Sequence, residues 1–110
     1  DGNTAHKYFG EPKTKINKVE TQKAVEGSCM FIKRKMLDET GFFDENYGMG
    51  YREEVDLAFT ARELGWKVVS CPKAEVVHLV SQTHGRLNIT NDTHAYFMTK
   101  WGAKLALGKV

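Results

Sequence analysis

The stretch "GFFDENYGMGYREEVDLAFTARELGW", Gly41 to Trp66, joins a turn-rich loop to a helix. Its first part, "FFDENYGMGY", is dense in Gly, Asp and Asn and reads as a loop. Its second part predicts a helix from about Arg52 to Leu64, ended by Gly65. At ~100° per residue, Val55, Leu57, Ala58, Phe59, Ala61 and Leu64 form a broad apolar arc. Glu53, Asp56, Thr60 and Glu63 cluster opposite, where water is expected. Glu54 breaks the pattern, falling near the centre of the apolar arc beside Ala58 and Ala61. An ionised carboxylate in a dry core costs several kcal/mol unless something compensates. The helix N-terminus returns only ~0.3–1 kcal/mol. Arg62 leans toward the same arc but lies too far along the axis to pair directly. Two readings stand. Glu54 is a helix-start acid bonded to backbone N–H groups, or the arc opens onto a cleft and Glu54 is a general base whose oxygen reaches a substrate hydroxyl.

Upstream, "RKMLDETG" predicts a short helix stopped by Gly41. "KAVEGSCMFIKR" predicts a strand over Cys29–Ile32, with Gly27 and Ser28 marking a bulge or a close backbone approach. Downstream, "WKVVSC" and "AEVVHLV" predict two strands joined tightly at Pro72 and Lys73. Residues 81–90 are polar and read as a loop containing His84, which is expected at the surface. A last helix, roughly Asn91 to Leu107, places Tyr96, Phe97, Trp101 and Leu105 on adjoining faces. Residues 1–22 form an irregular, Lys-rich lead-in with room for one short strand, so the organised part is 23–110. Lys7, Lys13, Lys15 and Lys18 are expected on a solvated face.

With 41% hydrophobic and 27% charged residues, the 110-residue chain has the composition of a soluble globular domain or a piece of one. A net charge of +2 gives no ground for a nucleic-acid partner. No apolar run reaches the ~20 residues of a membrane-spanning helix, and the polar start "DGNTAHKYFG" shows no signal peptide. The first residue is not Met, which suggests a cut or processed piece. Cys29 and Cys71 have no metal-site spacing and are expected as buried free thiols in a reducing compartment. The sequons at Asn88 and Asn91 then read as chance.

The order of these segments adds a resemblance. "VEGSCMFIKRKMLDETGFFDE" followed by "EEVDLAFTARELGWKVVSCPKAEVVH" resembles the C-terminal half of family-2, GT-A-fold glycosyltransferases, over about residues 24–85. "YFMTKWG" is a weaker echo. The resemblance implies an α/β fold, here α+β because only the acceptor-side half is present, with a few strands and about three helices. It implies a parent enzyme that moves a sugar from a nucleotide-sugar to a glycan, lipid-linked or protein acceptor with inversion, in bacterial cell-surface polysaccharide synthesis. Such a parent would be cytoplasmic, or membrane-associated through its other parts.

By the same resemblance Glu54 matches the base that deprotonates the acceptor hydroxyl, within an acid set that includes Glu53 and Asp56. Asp44 and Glu45 match loop acids that are structural or acceptor-side. Gly27 and Ser28 match small residues lining the acceptor side. His78 matches a histidine that in some members ligates the divalent metal, Mn2+ or Mg2+, beside the donor diphosphate. Read from the residues alone, His78 is instead a satisfied core histidine in an apolar strand. Trp66 and Trp101 are core candidates, with Trp101 also able to stack on a pyranose from the acceptor side.

Three positions depart from the pattern. Glu54 stands where Asp is usual, Arg52 where Gly is common, and Thr60 where many members have Arg. No D-x-D motif occurs, so the donor-binding part and its metal carboxylates must lie elsewhere. The fragment alone is then expected to be inactive. The alternative is a non-catalytic module that binds saccharide or protein on the same scaffold. Unpaired edges at "SCMFI" and "VVHLV" would invite pairing, so the 110-residue chain is expected to be a homodimer or swapped assembly. Light scattering at high concentration checks this, and a clean monomer refutes it.

Overall fold

The computed structural model describes residues 7–48, 50–79 and 92–110, apart from the side chain of Asp92. Three helices and a two-stranded antiparallel sheet follow in the order β1 (Glu20–Thr21), α1 (Arg34–Thr40), α2 (Glu53–Glu63), β2 (Val69–Ser70), α3 (Asp92–Ala106). Single 3-10 turns at Lys13–Lys15 and Glu45–Tyr47 punctuate the connections. Among the described residues no helix is long and apolar enough to cross a membrane.

Helix α1 ends where its glycine requires it to. Gly41 takes a left-handed φ of 84°, and its N–H bonds the Leu37 carbonyl at 3.0 Å. That conformation is open to Gly without steric cost. Helices α2 and α3 fall within a residue or two of their predicted bounds. The final turn of α2 hands over to Gly65, and Trp66 follows with its indole N–H on Glu39 of α1 at 2.7 Å.

The core gathers where α2 meets α3. Tyr47, Val55, Phe59, Phe97, Trp101 and Val110 form one buried cluster, with Ala24, Tyr96, Met98 and Leu105 packed against it. Phe59 sits edge-on to Trp101, ring centroids 5.2 Å apart at 82°, and tilts against Phe97 at 5.8 Å. Tyr47 meets Tyr96 edge-to-face at 5.0 Å. Such geometry adds ~0.5–1.5 kcal/mol per pair beyond area burial. The loop before α2, helix α2 and helix α3 are therefore one packing unit.

The strands differ from expectation. Val69–Ser70 realises a fragment of the "WKVVSC" prediction, and Pro72–Lys73 does form a tight turn, Ala74 N–H to the Cys71 carbonyl at 3.0 Å. The partner of β2 is not the following segment but the lead-in, with Glu20 opposite Ser70 and Thr21 opposite Val69. The anticipated strands at Cys29–Ile32 and Ala74–Leu79 are irregular backbone, and Phe31, Val76, Val77 and Leu79 are exposed. A strand exists only against a neighbour, and among the described residues these segments have none. For the same reason both cysteines, expected to be buried, are exposed free thiols. His78 is likewise exposed rather than a core residue. His84 and the sequon residues Asn88 and Asn91 lie outside the described residues.

Lead-in lysines are solvated as expected, pairing with acids at the surface: Lys7 with Glu20, Lys13 with Glu75, Lys15 with Glu11. Exposed pairs of this kind contribute little to stability.

Candidate active site

The acids of the Gly41–Trp66 stretch separate into two groups with opposite electrostatics. Asp44 and Asp56 form the first. Asp56, placed by the helical wheel on the solvated side, is 4% exposed. Asp56 is buried because α3 covers that side of α2 and supplies the polar partners. Lys100 Nζ lies 2.8 Å from Asp56 Oδ1 and 2.8 Å from Asp44 Oδ2. The adjacent Trp101 donates its indole N–H to Asp56 Oδ1 at 2.5 Å. Tyr96 donates to Asp44 Oδ2 at 2.9 Å, and Asp44 also caps the Glu45–Tyr47 turn by accepting from the Asn46 N–H at 3.0 Å.

Asp44 and Asp56 are thus fully engaged in joining the loop and α2 to α3. Neither has an oxygen to spare for substrate. The Lys100 ammonium, then burial working against it, then the Asn46 and Tyr96 donors leave the Asp44 carboxyl far below the usual range. Burial alone would lower Lys100, but its bonds to Asp44 and Asp56 outweigh that and raise it. Trp101, at 3% exposure, is core and has no ring face for a pyranose. Glu45 is exposed beside this cluster.

Glu54 and Glu53 form the second group, at the first turn of α2. Glu54 is half-buried, and its Oε2 is buried without a hydrogen-bond partner among the described residues. Burial pushes its pKa up, and the charges of Glu53 and Glu26 push the same way. The backbone N–H groups of Glu54 and Arg52 oppose them by favouring the charged form. Glu54 thus stands in the first turn of α2 with one buried oxygen that has no hydrogen-bond partner among the described residues. Glu53 Oε2 is also buried and unpartnered.

Gly27 lies over this carboxylate. A Cβ added there would sit 3.5 Å from Glu54 Cβ, 3.6 Å from Cγ and 3.8 Å from Cδ. The Gly27–Ser28 turn, expected as a close backbone approach, approaches Glu54 itself. Next to it the Glu26 carboxylate lies beside the His78 ring, Oε1 to Nδ1 at 3.4 Å. Those two groups fall short of a divalent cation's coordination set, and among the described residues no group of three metal-ligating side chains exists. A cation at His78 would need carboxylates from beyond these residues. The cavity lined by Phe59, Arg62, Trp66 and Lys109 lies at the opposite end of α2 from Glu54.

The backbone entering α2 is unusual. Tyr51 and Arg52 are consecutive non-Gly residues with left-handed φ, 71° and 78°. Each such residue costs on the order of 1 kcal/mol or more. This explains why Gly suits the position of Arg52 in the pattern it departs from. Thr60, at the other departure, bonds back to the Asp56 carbonyl at 2.9 Å.

With the geometry in place, comparison with known proteins assigns the class. The chain matches the model "Glycosyltransferase like family 2" over residues 3–98, and it belongs to that family. Two curated relatives, both named N-acetylglucosaminyl-diphospho-decaprenol L-rhamnosyltransferase, come from Mycobacterium tuberculosis strains CDC 1551 / Oshkosh and ATCC 25618 / H37Rv. Each is 42% identical over 60 residues, 54% of this chain and 19% of the relative. The matched segment thus spans about a fifth of those proteins. No solved structure matches the chain.

The two acid groups predict opposite pH behaviour. Lys100→Met leaves Asp56 charged, buried and short of its cation, at a cost of about 3–5 kcal/mol at pH 7. Because the folded pKa of Asp44 is depressed, its stabilisation is present above the ordinary carboxylate range and lost as pH falls through and below it. Lys100→Met should therefore lower Tm most at neutral pH and least in acid, measured by thermal melts across pH. Glu54 has the reverse sign. Its raised folded pKa means that wild-type stability falls as pH rises from the unfolded value of ~4.3. Glu54→Gln should raise Tm at pH 7, with the gain vanishing below about pH 4.

Proposed function

We propose that this chain is the acceptor-side part of an inverting glycosyltransferase, with Glu54 as the general base. The observation that carries the reading is the Glu54 carboxylate: half-buried in the first turn of α2, raised in pKa by burial, packed against Gly27, and left with one oxygen that has no hydrogen-bond partner among the described residues. A base needs a carboxylate oxygen without a protein partner, within hydrogen-bond reach of the substrate hydroxyl directly or through one water.

In the reaction, the acceptor O–H gives its proton to Glu54. The freed oxygen attacks the anomeric carbon of the nucleotide-sugar from the face opposite the nucleotide. The bond from that carbon to the phosphate oxygen breaks, and the nucleotide diphosphate leaves with the electron pair. Configuration at the carbon inverts. A raised pKa keeps Glu54 a better proton acceptor than an exposed carboxylate. Gly27 packs against the Glu54 side chain, and Asp44 and Asp56 hold the loop and helix that carry it.

The relatives' printed name contains a diphospho-decaprenol-linked sugar, which favours a lipid-linked saccharide acceptor over a protein one. It favours a deoxyhexose donor in the same way. Donor binding, and the carboxylates for any divalent cation, belong to residues beyond those described, with His78 the one candidate ligand here.

In the full-length parent, Glu54→Gln should reduce transfer by about 10²–10⁴-fold, the usual contribution of a general base. Nucleotide-sugar binding, followed by calorimetry, should stay within about twofold. Transfer at the wild-type rate in that variant refutes the base assignment. Saccharide binding by the wild-type parent without any turnover would instead support a non-catalytic module.

A further inference from the structure

We infer that the cavity where α2 and α3 end is a phosphate-binding site built by Arg62 and Lys109. It lies at the far end of α2 from Glu54, and the inference does not depend on Glu54 acting as the base.

The chain itself explains why a cavity forms there. Asp56 and Glu63 of α2 pair with Lys100 and Lys104 of α3, so the two helices run side by side in the same direction. Both stop at a left-handed glycine, Gly65 at φ 85° and Gly108 at φ 63°. Each glycine turns the next residue back on its own helix. The Trp66 N–H reaches the Ala61 carbonyl, and the Lys109 N–H reaches the Lys104 carbonyl, both at 2.9 Å. Phe59, Trp66 and Val110 then wall a cavity of about 190 Å³ that Arg62, Glu63 and Lys109 also line. That is far more room than one water needs.

The polar groups of the wall are unequally satisfied. Glu63 is taken by Lys104, and the Trp66 indole N–H is taken by Glu39 at 2.7 Å. Arg62 Nη1 is buried and has no hydrogen-bond partner among the described residues. The Lys109 side chain, which is exposed, has no partner among them either. Two helices present their negative ends here, which accounts for cations at this place. It does not account for Nη1. The last carbonyls of α2 are already used, because Thr60, Ala61 and Arg62 accept from the N–H groups of Leu64, Trp66 and Gly65. A buried donor left without an acceptor is costly, more so on a charged group.

A ligand that supplies the acceptor has a definite chemistry. A carboxylate spends both oxygens on one guanidinium fork. A phosphate keeps further oxygens for an ammonium, so it can engage Arg62 and Lys109 together. The same group comes free in solution or as the headgroup of an anionic lipid.

The test uses the full-length parent as wild type, Arg62→Gln, Lys109→Gln and Glu54→Gln. Calorimetry with inorganic phosphate and with pyrophosphate, at constant ionic strength, reads the free source. Sedimentation with phosphatidylcholine vesicles, with and without phosphatidylglycerol, reads the lipid source. We expect saturable binding in at least one arm, weakened about tenfold or more by Arg62→Gln and about threefold or more by Lys109→Gln. Glu54→Gln should bind within about twofold of wild type, whether or not it transfers sugar. Binding in the vesicle arm alone, dependent on phosphatidylglycerol and lost in Arg62→Gln, supports the site and assigns it to lipid. Binding that is equal in wild type, Arg62→Gln and Lys109→Gln belongs elsewhere and overturns the inference, as does no binding by wild type in either arm. If Arg62→Gln does not fold, Lys109→Gln, at an exposed position, decides by the same readouts.

Discussion

One ammonium group holds two carboxylates, and the arrangement of the loop, α2 and α3 follows from it. Lys100 reaches Asp44 and Asp56 at the same 2.8 Å. Asp56 is nearly inaccessible, so without a cation it would be a bare buried charge. With Lys100 and the Trp101 indole it is satisfied, and α3 is fixed in both rotation and height against α2. The aromatic cluster of Phe59, Phe97 and Trp101 then packs around a register already set by polar contacts. Hydrophobic burial supplies most of the driving force, but apolar faces are tolerant of slippage. Paired charges are not.

The clamp also divides labour among the acids. By taking Asp44 and Asp56 into the structure, it leaves Glu54 as the acid with a raised pKa and an unsatisfied oxygen. Glu54 and Asp56 are only two residues apart on α2. They differ because α3 brings a lysine to one and the Gly27 turn brings bare backbone to the other. Asp44 is pushed down and Glu54 up, and carboxylates whose pKa values are pushed apart commonly divide functions between them.

Much of this was legible in the sequence because it depends on local rules. Gly41 and Gly65 stopped helices where the spacing placed them, and α2 and α3 followed from apolar periodicity. The oddity of Glu54 was legible too, since a wheel exposes a charge on a greasy face. The wheel failed for Asp56 because it treats a helix as having one partner and one wet side. Helix α2 is covered on both, and five consecutive residues from Val55 to Phe59 are buried. The missing signal was the adjacent Lys100–Trp101 pair, a cation and an indole donor waiting for an acid elsewhere in the chain. Strands were read worst. Their existence depends on neighbours in space, which apolar runs such as "AEVVHLV" do not specify. The pairing of the lead-in with β2 joins residues fifty apart, and no local pattern announces it.

The clamp has a consequence for how this segment could be exchanged among relatives. Loop, α2 and α3 share one cation between two acids that are twelve residues apart, and that cation is supplied from forty-four residues downstream of the nearer one. A chimera that imports α3 from another family member must bring a lysine and an indole in the same helical phase. A graft that omits them leaves two stranded carboxylates rather than one. A crossover inside the span from Asp44 to Trp101 therefore works only where the incoming α3 supplies both groups.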